Sequence, residues 1–227
     1  MKKFVFFDLD GTLADTDADI RLAWKAAIAD LSLDCPEFDR VFVAGPPIDE
    51  MTRTLFPGLY SEELVSSIRE RYAAHYDNDG FPSTKEYPGM IDAVRAVKAG
   101  GARVFIATNK RYRGTLKMAE KFGWNALFDG MFSGDMHMDD PAIGKMNKTA
   151  LLRFAMAETG AAPGDSVMVG DTENDFRAAR ENGMKSIGVS WGYGTGLESP
   201  GRWVRSPEEL VKVIRDLISG HKDELEN

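Results

Sequence analysis

The 227-residue chain has one cysteine, Cys35, three histidines, and no apolar run long enough to cross a bilayer. A single thiol excludes an internal disulfide framework, and His75, His137 and His221 are too scattered to form a zinc-ligand cluster. A spanning helix needs about 20 consecutive apolar residues, which no stretch supplies. Positive charge is also short: 28 Lys and Arg stand against 36 Asp and Glu, a net charge of -8 with no basic block. Nucleic acid and anionic membranes reward clustered cations, so neither is an expected partner, whereas a bound cation or a small substrate is. Met1-Lys2-Lys3 has the charge of a signal-peptide start, but the apolar run behind it is only Phe4 to Phe7 and ends in acids. Together these absences read as a cytoplasmic protein. With 43% hydrophobic residues, the chain has enough apolar side chains for one large domain or two small ones, and it does not have the composition of a disordered segment.

What is present begins with "FVFFDLDGTLADTD". Phe4 to Phe7 read as a buried strand that ends at once in Asp8 and Asp10. Burying ionised carboxylates without partners is costly, so such a pair implies a cation, a hydrogen-bond cradle, or chemistry. From Asp17 to Leu31, Ile20, Trp24, Ile28 and Leu31 recur at helical spacing. A second stripe, Leu64, Ile68, Tyr72 and Tyr76, follows the N-cap candidate Ser61. Residues 15–83 are therefore expected to be a helical unit, with "RVFVAG" at Arg40 to Gly45 ambiguous. After Pro88-Gly89, helices and strands alternate: "RVFIATN", a short strand near Phe128, "SVMVGD" and "KSIGVS" are the strands, and helices are expected over 111–122, 148–158 and 173–182. Ser206-Pro207-Glu208-Glu209 opens a last helix. This alternation predicts an α/β fold, a parallel sheet with helices on both faces and ligands outside the carboxyl ends of the strands.

Three of these strands end in polar residues: Asp8-Leu9-Asp10, Thr108-Asn109 and Gly170-Asp171. If the strands are neighbours, the three endings share one crevice. Asp175 lies one helical turn beyond Asp171, and Lys148 opens another helix after the N-cap candidate Asn147. Acids with one ammonium and one hydroxyl suit a hard cation holding a phosphate, and carboxylate and carbonyl oxygens suit Mg²⁺. Each residue also has a structural reading: strand-end turn, helix cap, or solvated acid and lysine. Only their company favours the site. "DTDADI" and "DTENDF" imitate calcium loops but lack the sixth-position glycine. "GYGTG" at Gly192 has no helix opening after it and is read as a turn. Trp24 is expected in packing and His75 in a structural role.

With these motifs in order (Asp8 to Thr12, Thr108, Lys148, Gly170 to Asp175), the chain resembles the haloacid dehalogenase-like superfamily. "GPPIDEM", "YPGM", "WGYG" and "SPEEL" resemble its phosphoglycolate phosphatase-like branch, and the likeness of the first segment to the cap's specificity region implies that Asp49 and Arg53 approach the substrate. The resemblance implies a Rossmann-like core at residues 1–14 and 84–227, and an inserted helical C1 cap at 15–83 hinged near 14–17 and 82–88. It also implies a Mg²⁺-dependent phosphatase. Asp8 would be the nucleophile and Asp10 the acid and base. Thr108, Asn109 and Lys148 would bind the phosphoryl group, and Asp8, the Asp10 carbonyl, Asp171 and Asp175 would hold the metal. Many relatives read Lys-Pro-x-Pro at the third motif, whereas "IGKMNKTALL" offers both Lys145 and Lys148, and the Asn147-Lys148 pattern favours the latter. The implied partner is a small phosphorylated metabolite, met by a monomer or a homodimer. A sugar phosphomutase and a silent phosphate-binding protein are the alternatives.

Overall fold

A computed structural model describes residues 3–141, 143–194 and 200–219 of the chain. The four apolar residues of the opening motif form β1 (Phe4–Phe7), every one of them buried. Alternation sends Val5 and Phe7 to one face of the sheet and Phe4 and Phe6 to the other, where each pair joins a separate apolar cluster. A strand with both faces covered can be apolar throughout, which is why no hydrophilic alternation marks it.

After β1 the chain folds back on itself at Gly11, whose φ of +78° favours glycine, and the Leu13 amide donates to Leu9 O at 2.9 Å. β2 (Ala14–Asp15) follows, and then four helices: α1 (Asp17–Asp30), α2 (Phe38–Val41), α3 (Ile48–Leu55) and α4 (Glu62–Tyr76). The ambiguous "RVFVAG" is split between α2 and an extended Phe42. The reason is the four-residue spacing of Phe38 and Phe42, whose rings stack with centroids 4.7 Å apart, and Phe42 in turn meets Trp24. Ser61 caps α4 by accepting from the Leu64 amide at 3.1 Å. The chain leaves the helices through β3 (Lys85–Glu86), which pairs antiparallel with β2, so the incoming and outgoing segments of the insert form one ribbon.

The remaining elements alternate as expected up to β7: α5 (Met90–Ala99), β4 (Arg103–Thr108), α6 (Tyr112–Phe122), β5 (Gly130–Ser133), α7 (Lys148–Thr159), β6 (Ser166–Gly170), α8 (Glu173–Glu181) and β7 (Lys185–Val189); a further short strand, β8 (Arg202–Val204), comes before α9 (Pro207–Ser219). The strand expected near Phe128 starts two residues later. Phe128 itself packs edge-on against Trp124 and Phe7, held by the one-turn helix Trp124–Ala126. The strands form a parallel sheet in the order β5-β4-β1-β6-β7-β8. Leu151, Leu152 and Ala155 of α7 and Ala178 and Ala179 of α8 cover one face, while residues of α5, α6 and α9 cover the other. This is a Rossmann-like α/β fold. Among the described residues no helix is long and apolar enough to cross a membrane.

One buried acid ties the insert to its exit. Asp19 of α1 accepts from the Ser83 and Thr84 amides at 3.1 and 2.8 Å and from Thr84 Oγ1 at 2.6 Å. Asp19→Ala would leave the amide and hydroxyl of buried Thr84 without this partner, at a cost of roughly 2 kcal/mol or more. Urea unfolding is expected to show this loss, and a variant as stable as the wild type would refute it.

Candidate active site

β1 lies between β4 and β6 in the sheet, with Phe7 in register with Ile106 on one side and Val169 on the other. The strands run parallel, so their polar endings emerge side by side, as the motif spacing requires. Asp8 is anchored there by its own amide, which donates to Val169 O at 2.8 Å. Asp171 and Asp175 meet it: oxygens of these three buried carboxylates lie within 4.8 Å of one another.

Each acid is held by a different device. Asp171 Oδ1 accepts from Thr12 Oγ1 at 3.2 Å, and its Oδ2 accepts from the Tyr193 and Gly194 amides at 2.7 and 3.3 Å. Asp175 is the third residue of α8 and forms a capping box with Thr172, accepting from the Thr172 amide at 3.1 Å and its hydroxyl at 2.8 Å. Room for it exists because residue 170 is glycine, since a Cβ there would overlap the Asp175 carboxyl.

Lys148 is the cation of the cluster. Asn147 caps α7 by accepting from the Ala150 amide at 2.9 Å, and Lys148 is the next residue, in the first turn. Its buried ammonium donates to Asp8 Oδ1 at 2.8 Å and to Ala107 O at 2.9 Å, and lies 2.9 Å from Asp175 Oδ1 without hydrogen-bond geometry. Lys145 is exposed. Thr108 is buried at the end of β4, where its Oγ1 accepts from the Lys110 amide at 3.1 Å; Asn109 is exposed and lines the cleft beside it.

The electrostatics follow from this crowding. Burial raises the Asp8 carboxyl to about 6, with Asp175 and Asp10 adding to the rise and Lys148 opposing it. Burial, then Asp175 and Asp8, push Asp171 up to about 8 against the donors from Tyr193 and Thr12. For Lys148, burial favours the neutral amine, but Asp175 and Asp8 outweigh it and hold the pKa above its ordinary value. One ammonium among three buried carboxylates leaves negative charge uncompensated. Such an oxygen-rich set fits a hard divalent cation.

The carboxylate of Asp10 stands outside this trio. It pairs with Lys110 Nζ at 2.8 Å, and the same ammonium donates to the Tyr76 hydroxyl and sits 4.3 Å from the centre of the Tyr76 ring. A metal role for the Asp10 side chain therefore finds no support in the carboxyl cluster, and only its backbone carbonyl stays a candidate. Lys110 was not legible as a site residue, because a lysine two positions past a strand reads as the exposed start of a helix. The "GYGTG" segment, a turn as its sequence implies, has a site role that its glycines do not announce: its amides hold Asp171, and the Tyr193 hydroxyl accepts from the Asp17 amide at 2.9 Å and donates to Asp15 Oδ1 at 2.9 Å. Residues 195 and 196 of that motif lie outside the described residues.

The cleft in front of Asp8 and Asp10 is lined from the sheet by Thr108 and Asn109, and from the insert by Ile20, Trp24, Phe42 and Tyr72. Asp49 and Arg53 are exposed and are not among its lining residues; Arg53 instead donates to the Tyr60 hydroxyl at 2.9 Å. Position in α3 explains this, because its N-terminal Ile48 meets the cleft and the next turns point away. His75 pairs with Asp30 at 2.8 Å, joining α4 to α1.

The chain resembles known proteins over most of its length. It is 30% identical over 200 residues to a protein of Dickeya dadantii named "Probable phosphatase IndB", a match covering 86% of this chain and 84% of that one. It is also 30% identical to the phosphoglycolate phosphatase of Agrobacterium fabrum, covering 85% of this chain and 82% of that one. The crystal structure of a predicted phosphatase from Clostridium acetobutylicum superimposes with a TM-score of 0.82 at 25% identity, over 94% of this chain and 98% of that one. The family model described as "Haloacid dehalogenase-like hydrolase" matches residues 5–189. That match runs from β1 to the end of β7 and encloses Asp8, Lys148, Asp171 and Asp175, and this chain belongs to the haloacid dehalogenase-like hydrolases.

Proposed function

We propose that this chain is a Mg²⁺-dependent phosphatase that hydrolyses small phosphate monoesters through an aspartyl-phosphate on Asp8. The observation that carries this reading is the carboxylate trio with its single ammonium, buried at the strand ends and beside a cleft. The phosphatase relatives of Dickeya and Agrobacterium support the same class of substrate.

An Asp8 oxygen attacks phosphorus and the bond to the leaving oxygen breaks, while Asp10, protonated, gives its proton to that oxygen. In the second step the Asp10 carboxylate takes a proton from water, whose oxygen attacks phosphorus, and the bond to Asp8 breaks to release inorganic phosphate. Lys110 pairs with the Asp10 carboxylate beside the cleft; Lys148 would neutralise charge on the phosphoryl oxygens, and the Thr108 hydroxyl would donate to one of them. Asp8, Asp171, Asp175 and the Asp10 carbonyl would hold Mg²⁺. Its contribution when bound is to cancel charge shared by these acids and the phosphate.

Residues 15–83 are proposed to act as a cap over residues 1–14 and 84–227. The cleft has walls from both parts, and the β2-β3 ribbon at residues 14–15 and 85–86 is the connection between them. Movement about that ribbon would admit substrate and exclude water.

Phosphate release from an aryl phosphate is expected with Mg²⁺, and is expected to fall to background with EDTA or in Asp8→Asn; release that survives either change sinks the mechanism. A wild type that retains the phosphate of a sugar ester while isomerising it would identify a phosphomutase instead. Lys148→Ala is expected to lower turnover by about 100-fold or more, while Lys145→Ala leaves it unchanged. The reverse order would move the site lysine to Lys145.

The raised carboxyls also set a pH dependence. A carboxyl with a folded pKa above its unfolded value gives stability below the unfolded pKa and loses it as pH rises through the folded one. For Asp8 and Asp171 that window runs from 3.8 to about 6 and about 8. Metal-free protein is therefore expected to lose Tm across this range from these groups. Mg²⁺ is expected to raise Tm more at pH 8 than at pH 5, and an equal gain at both would contradict the charge argument.

A further inference from the structure

The proposed chemistry acts on the phosphoryl group; a second feature of the cleft concerns the leaving group. Asp77, which ends α4, and Arg111, which opens α6, come from different elements and meet where both line the cleft. Asp77 is 4% exposed. Arg111 Nη1 lies 3.1 Å from Asp77 Oδ2, but the contact lacks hydrogen-bond geometry. Asp77 Oδ1 accepts no hydrogen bond and Arg111 Nη1 donates none, although both atoms are buried. Asp77 Oδ1 is thus a buried acceptor without a donor, while Arg111 Nη1 has only its ion-pair contact with Oδ2; an unmet buried acceptor is uncommon and costly, and beside an under-used donor on the cleft wall it points to a ligand. The neighbouring Lys110 is already engaged by Asp10 and Tyr76.

We propose that Asp77 and Arg111 form a leaving-group subsite that reads a hydroxyl, so that the substrates are phosphate esters of sugars or other polyols. This rests on the phosphatase reading. The subsite offers one acceptor and one donor whose charges cancel. A hydroxyl is both donor and acceptor and satisfies the two atoms together. A carboxylate, as in phosphoglycolate, pairs with Arg111 but brings negative charge against Asp77 and leaves Oδ1 without a donor. An ammonium fails in the opposite sense. The rings of Trp24, Phe42 and Tyr72 complete the wall with apolar surface suited to the C–H face of a sugar.

The test is kcat/KM of the Mg²⁺-loaded protein for glycerol 3-phosphate, glucose 6-phosphate and phosphoglycolate, with an aryl phosphate as reference. At least one polyol ester is expected to exceed phosphoglycolate by about tenfold or more, since a site built to bond a hydroxyl strongly rejects an analogue lacking it. Asp77→Asn is expected to bring that ratio towards one. Gly114→Ala gives an independent check, because its Cβ would lie 3.3 Å from Asp77 Oδ1, inside α6 where alanine is favoured over glycine. It too is expected to lower the ratio. A wild-type ratio at or below one, or a ratio that neither variant changes, overturns the hydroxyl subsite while leaving the phosphatase reading intact. Release from none of the esters, the aryl phosphate included, overturns both.

Discussion

Three carboxylates within 4.8 Å of one another at the buried end of a parallel sheet repel each other in a medium that screens poorly. The site's construction answers that repulsion. Thr12, the Thr172 cap and the amides of Tyr193 and Gly194 supply neutral donors, and Lys148 supplies one positive charge. These do not suffice, because Asp8 and Asp171 remain above the usual carboxylate range. An added positive charge would favour the ionised form of these acids, so the cluster suits a divalent cation.

The same constraint reaches into the fold. Asp8 and Asp171 can converge only if β1 and β6 are adjacent and parallel, and Asp175 can join them only if α8 begins one residue after Asp171 and its cap. Gly11 and Gly170 serve this convergence, since a Cβ at either would overlap Asp171 or Asp175. The apolar continuity of β1 is the counterpart on the other side: Phe4 to Phe7, packed on both faces, hold the strand that aims Asp8.

The insert is coupled to this centre by polar contacts as well as by apolar packing. Tyr193 reaches from beside Asp171 to the amide of Asp17 at the start of α1, and Lys110 links Asp10 to Tyr76 of α4. A change in how the insert sits would alter the surroundings of Asp10 directly. Lys110 is thus the contact that joins Asp10 to the wall of the cleft.

By itself the sequence determined the alternation of helix and strand, the helical character of residues 15–83 and the residues of the acidic centre. Each of these is written in local patterns: apolar periodicity, N-caps such as Ser61 and Asn147, and acids placed where a buried strand ends. Tertiary structure decided what depends on distance through space. It buried Lys148 and exposed Lys145, three residues away, because α7 starts at Lys148 and Lys145 stays in the loop before it. It gave Asp10 to Lys110 and left Asp49 and Arg53 outside the cleft. It also faced Asp77 with Arg111, a pairing that no local spacing encodes because only the approach of the end of α4 to the start of α6 creates it.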